Sequence, residues 1–129
     1  MNIEGSSVKV KKSAKELYEF LLNLENHKEL MPDNIEKFEV DGESFIFGLK
    51  GMPDIRLVIK ETTEYSNITL GAASSKLPFT LSTDFKEVSE NETEAQFKFE
   101  SQFNAMMAMM VKAPLTKFIN TLTENLGKL

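Results

Sequence analysis

Apolar and polar residues alternate with a period of two from Ile35 to Ser101, and the segments on either side repeat at helical spacing. In the closing segment, Phe103 to Leu129, residues Phe103, Met106, Met107, Met110, Val111, Leu115, Phe118, Ile119, Leu122 and Leu126 share one helical face. Lys112, Lys117, Asn120, Glu124 and Lys128 occupy the other side. At 1.5 Å per residue such a helix would run roughly 35–40 Å, the width of a small domain. Pro114 falls in its middle and has no N–H for the Met110 carbonyl, so a bend is expected there.

At the other end, Val8 and Val10 alternate with Lys9 and Lys11, which reads as a first strand over Ile3 to Lys11. Ile3 is out of phase with both valines, so a bulge near Gly5 is expected. Ser13 followed by Glu16 is a capping-box pair, and Leu17, Phe20, Leu21 and Leu24 form the apolar stripe of the helix it opens. A second helical turn is expected over Asn26 to Leu30, ended by Met31-Pro32.

Six strands follow. Phe38 and Val40 lead into Asp41-Gly42, which suits a two-residue type I′ turn that sets Val40 opposite Glu43 and Phe38 opposite Phe45. Phe45, Phe47 and Leu49 continue the apolar side to a turn at Gly51-Met52-Pro53-Asp54. Ile55, Leu57 and Ile59 form the next strand, and Ile68, Leu70 and Ala72 another after Tyr65-Ser66-Asn67. Pro78 opens a fifth strand with Leu81, Thr83 and Phe85. A three-residue loop at Glu90-Asn91-Glu92 would place Phe85 opposite Phe97 and Thr83 opposite Phe99; a four-residue loop would oppose Phe85 to Gln96 and break the aromatic face. The expectation is an α+β fold, a curved antiparallel sheet of about seven strands gripping a long C-terminal helix, with two short helices after the first strand.

Neither repeat nor linker interrupts residues 1–129, and the length suits one domain. The net charge of −5 argues against a nucleic-acid partner. Without cysteine there is no disulfide, thiolate metal site or cysteine nucleophile; one histidine argues against a nitrogen-ligated metal, and for a hard cation on carboxylates no spaced Asp/Asn loop of the calcium-binding kind occurs. No apolar leader precedes Lys12, and the longest apolar run, Ala105 to Val111, is too short to span a bilayer. The default expectation is therefore a cytoplasmic protein, monomer or dimer, without stable membrane insertion and without a cofactor.

The order strand, two helices, six strands and one long helix resembles the helix-grip superfamily, which includes START lipid-transfer domains, pollen-allergen-type proteins and polyketide cyclase-like proteins (SRPBCC). The likeness covers the whole chain in element order, with the Met106-Met107 to Pro114-Leu115 stretch similar to the last helix of small bacterial members. The resemblance implies a cavity between sheet and long helix that holds a hydrophobic small molecule or lipid. In some members it also implies cyclisation, dehydration or hydrolysis, and a third outcome is an interaction domain that fills its own cavity.

On that reading the strand residues facing the cavity are Phe38, Phe45, Phe47, Leu57, Ile59, Leu70, Leu81, Thr83, Phe85, Phe97 and Phe99. The helix is expected to contribute Met106, Met109, Met110 and Ala113, with Phe118, Leu122 and Leu126 as plain core. Only Thr83 is polar in this set, and an acid–base enzyme needs a positioned proton donor or acceptor, so no catalytic residue is assigned. His27 is expected at an exposed or capping position, and Tyr18 and Arg56 are the other polar groups within reach of a cavity mouth. The Lys9, Lys11, Lys12 and Lys15 cluster reads as a solvated face.

Overall fold

The computed structural model describes residues 1–50, 54–73 and 79–129. Among these residues eight strands make one antiparallel sheet: β1 (Asn2–Glu4), β2 (Val8–Val10), β3 (Ile35–Asp41), β4 (Ser44–Leu49), β5 (Ile55–Thr63), β6 (Asn67–Ala72), β7 (Phe79–Ser89) and β8 (Glu92–Ser101). Between β2 and β3 lie α1 (Ala14–Leu22) and a 3₁₀ helix (Leu24–Leu30), and α2 (Ala105–Gly127) follows the last strand. The strand order is β1-β8-β7-β6-β5-β4-β3, with β2 also paired to β8. The expected turn at Gly51-Met52-Pro53 and the Pro78 strand opening lie outside the described residues.

The first expected strand is two. Ile3 pairs with Phe99 but Val8 pairs with Ala95, so one extra residue is accommodated between β1 and β2. Gly5 sits in that bend, donating its N–H to the Phe97 carbonyl at 2.9 Å. A Cβ on Gly5 would stand 3.0 Å from Ile119 Cγ2 and 3.1 Å from Thr123 Oγ1. Glycine here lets α2 close against the sheet, and Gly5→Ala is expected to destabilise by roughly 1–3 kcal/mol through overpacking. Urea unfolding checks this, and an unchanged midpoint would mean α2 has room to yield.

Two hairpin registers differ from the alternation reading, each by two residues, which leaves the faces intact. Asp41 pairs with Ser44, so the turn is Gly42-Glu43, and Phe38 sits opposite Phe47 and Val40 opposite Phe45. Only the first turn residue is left-handed (Gly42, φ 63°), the type II′ pattern rather than I′. At the last hairpin Ser89 pairs with Glu92 around Glu90-Asn91, and a bulge at Val88 supplies the odd residue. Phe85 therefore meets Ala95, Thr83 meets Phe97 and Leu81 meets Phe99.

Local signals set the helix starts. Ser13 Oγ accepts from the Glu16 N–H at 3.1 Å while Glu16 Oε1 accepts from the Ser13 N–H at 3.3 Å. α2 begins at Ala105 rather than Phe103 because Asn104 Oδ1 accepts from the Met107 N–H at 2.8 Å, an N-cap that leaves Phe103 outside. It continues as one helix through Pro114. Its C-terminal half is the buried half: Leu115, Phe118, Ile119, Leu122 and Leu126 all pack inward. Phe118 stacks on Phe47 at 5.2 Å, and Asn125 Nδ2 donates to the Leu30 carbonyl at 2.8 Å, tying α2 to β4 and to the 3₁₀ helix.

The inner face of the sheet is not covered by α2 alone. α1 packs across β6, β7 and β8, and the 3₁₀ helix packs against β3. Leu17, Leu21 and Leu30 are fully buried there. This division of the sheet decides where empty space is left. No helix among the described residues is long and apolar enough to cross a membrane.

Candidate functional site

A cavity of about 440 Å³ lies between the β4–β8 part of the sheet and α2 from Met107 to Ile119. Phe47, Ile55, Leu57, Ala72, Leu81 and Phe99 form its sheet wall, and Phe79 and Phe103 stand at one end. The helix wall is Met107, Val111, Leu115, Phe118 and Ile119, a stripe at i, i+4, i+8, i+11 and i+12. Phe79, Phe99 and Phe103 cluster, with ring centroids 5.2 to 6.4 Å apart. On the inner face Ala72, paired with Leu57, puts little side-chain bulk on this wall, which leaves volume unfilled.

Charged residues touch this space without pointing into it. Arg56 pairs with Ile46, one position out of phase with the inward Phe47–Ile55 and Phe45–Leu57 pairs, so its side chain belongs to the outer face. There its Nη1 donates to Ser44 Oγ at 2.8 Å. The Asp54 carboxylate lies 3.6 Å from Lys37 Nζ beside Gly48. Of the described residues that line the cavity, those turned inward are therefore all apolar. No group of three metal-ligating side chains occurs among the described residues either.

Of the expected cavity residues, Phe47, Leu57, Leu81 and Phe99 line the space. The other strand residues do not. Phe38 and Phe45 stack on each other at 5.3 Å, with His27 over Phe45 at the same distance. Phe85 meets Tyr18 of α1 edge-on at 6.3 Å, and Leu70, Thr83 and Phe97 are buried outside the lining. Ile59 is half-buried, also outside it. The cause is α1 and the 3₁₀ helix, which fill the part of the sheet that the alternation alone assigned to the cavity.

The helix residues require a larger correction. Met106, Met109 and Met110 are 75%, 83% and 74% exposed, and Ala113 is exposed as well. One residue is 100° of rotation, so Met106 and Met107 look in different directions. The rotation of α2 is fixed by its buried C-terminal stripe. Counting back by fours from Leu115 gives Val111, Met107 and Phe103, the residues that line the cavity. The run of four methionines favours a different face of the helix from the one that the buried stripe turns inward. Ile55 and Phe79, missed by the sequence reading, are in phase with Leu57 and Leu81. Ala72 and Ala73 gave no signal, since small residues do not announce a void.

His27 is buried, not exposed. Its Nε2 lies 2.8 Å from the Leu21 carbonyl, so that nitrogen carries the proton and donates. Burial pushes its pKa below the ordinary value of 6.5, and the hydrogen bond to Leu21 opposes the shift only in part. The sign follows from linkage. Above about pH 6.5 both states hold neutral imidazole; below it the unfolded chain takes up a proton that the fold resists, so stability falls with pH. His27→Gln keeps a donor for Leu21 and removes this titration. Denaturation between about pH 7 and pH 5 should show wild type losing more stability than the variant. Parallel losses would mean that His27 titrates alike in both states. Tyr18, the other polar candidate, is buried against Phe85 and Tyr65, away from the cavity.

No protein-family model matches the chain, and no curated protein matches its sequence. Solved structures do match. A START superfamily protein from Mycobacterium smegmatis superposes with a TM-score of 0.71 at 10% identity, over 98% of this chain and 94% of that one. A conserved protein from Geobacillus kaustophilus gives 0.69 at 12% identity, over 99% and 93%. The Aha1 dimer from Colwellia psychrerythraea gives 0.65 at 18% identity, over 100% and 99%. At these identities the likeness is one of fold: this chain has the helix-grip fold of START-type proteins.

Proposed function

We propose that this protein binds an apolar small molecule or lipid chain in the cavity between β4–β8 and α2, without catalysing a reaction on it. The observation that carries the reading is a cavity of about 440 Å³ whose inward described side chains are all apolar. That volume falls within the usual range of small-molecule sites, roughly 300–1,000 Å³. Each buried methylene contributes about 0.8 kcal/mol, so a ligand burying about ten gains roughly 8 kcal/mol, the equivalent of about a micromolar affinity from which ordering costs subtract. Acid–base chemistry would require a proton donor or acceptor facing the ligand, and the two charged residues at the described lining, Asp54 and Arg56, are engaged on the outer face with Lys37 and Ser44. With few polar contacts to fix orientation, selectivity would come from shape and length.

Native mass spectrometry of protein purified from its own host tests this. The expected result is a co-purifying apolar adduct released by denaturation in organic solvent. Protein of bare chain mass, recovered repeatedly under gentle conditions and refractory to added apolar compounds, would count against the reading.

A further inference from the structure

Met106, Met109, Met110 and Ala113 succeed one another at i, i+3, i+4 and i+7, so they form one continuous ridge on α2. All four are exposed, three of them by about three-quarters or more. The other large exposed hydrophobics among the described residues, Tyr65 and Val88, stand singly beside hairpin turns. Three long apolar side chains side by side are a patch with a use, not scattered surface. The charge around them is distinctive too. From Ser101 to Thr123 the chain has no acidic residue, only Lys112 and Lys117, although its net charge is −5. Met109, Lys112, Ala113 and Lys117 share one shallow stretch of surface, which Glu124 ends toward the C-terminus.

We propose that this face of α2 docks reversibly on an anionic lipid surface. Flexible methionines enter the acyl boundary, and the two lysines meet the headgroups, as in an interfacial amphipathic helix. Charge argues against a second copy, because on this face Lys112 and Lys117 outnumber the single acidic residue, Glu124, so two copies would bring net positive surfaces together. Shape argues against a groove-binding partner protein. The ridge is the convex side of one helix, which a lipid interface accommodates and a partner would have to match with a groove of its own. Docking does not depend on the cavity being occupied. The cavity is on the opposite side of α2, where Met107 and Val111 line it.

Co-sedimentation of the full chain with vesicles tests the proposal. Binding is expected to phosphatidylcholine vesicles containing roughly one-third phosphatidylglycerol, weaker to phosphatidylcholine alone, and reduced by salt. The triple variant M106Q/M109Q/M110Q should bind at least about tenfold more weakly, whereas V88Q should bind as wild type does. K112Q/K117Q should lose the preference for anionic vesicles. Because the methionines are exposed, the triple variant should keep wild-type stability, and a circular dichroism melt verifies this. Three outcomes overturn the proposal: no vesicle binding by wild type, equal binding by the triple variant, or a wild-type dimer that the triple variant dissociates. Ala72→Phe, which narrows the cavity, should leave vesicle binding unchanged, so failure of docking and failure of cavity binding are read separately.

Discussion

Leu122→Ala is expected to lose about 2–5 kcal/mol of folding free energy, whereas Met109→Ala should change it by less than about 0.5 kcal/mol. Both residues are on α2 and both are apolar, so composition does not distinguish them. Leu122 is 2% exposed, in the stripe that closes the core with Ile119 and Leu126. Removing its branched end leaves a void that close-packed neighbours fill only partly, which adds a cavity cost to the lost transfer energy. Met109 is on the far side of the helix, where truncation removes few contacts and alanine is the better helix former. Met106→Ala and Met110→Ala should behave as Met109→Ala does. Denaturant midpoints of these four variants are the measurement. A loss at Met109 comparable to that at Leu122 would mean that the methionine ridge is packed against something, in contradiction of the rotation of α2 described above.

That rotation separates what the sequence makes legible from what it does not. Period-two alternation carries the sheet faces correctly even where both hairpin registers are off by two, because a two-residue slip returns each side chain to the same side. The capping box at Ser13 and Glu16 and the phase break at Gly5 are local chemistry, and local chemistry is readable in one dimension. The position of the cavity is not local. It depends on how much of the sheet α1 and the 3₁₀ helix cover, and alternation contains no information on that docking. His27 shows the same limit: beside Asn26 and Lys28 it reads as a surface residue, yet stacking on Phe45 and donation to Leu21 bury it. For α2 the signal was present and misweighted. The buried stripe Leu115, Ile119, Leu122 and Leu126 extends backward to Met107 and Val111, whereas the density of methionine pointed to Met106, Met109 and Met110.

Ala72→Phe is expected to weaken uptake of an apolar ligand by more than about tenfold, since a ring of this size occupies a substantial part of the space and displaces several buried methylenes. Ala72 is suited to the test because it pairs with Leu57 on the inner face and borders the cavity. A phenylalanine there grows into existing volume instead of into packed neighbours, so the usual overpacking penalty is relieved. The variant should therefore keep close to wild-type stability, and a denaturation curve recorded alongside verifies that any loss of binding is not a loss of fold.

The measurement that tests the central claim most directly is a fluorescence titration of wild type and Ala72→Phe with a neutral apolar probe such as Nile red. Saturable, one-to-one binding by wild type, displaced by added fatty alcohol and weakened more than about tenfold in the variant, is the predicted result. Absence of saturable binding by wild type, or equal affinity in the two proteins, would contradict it.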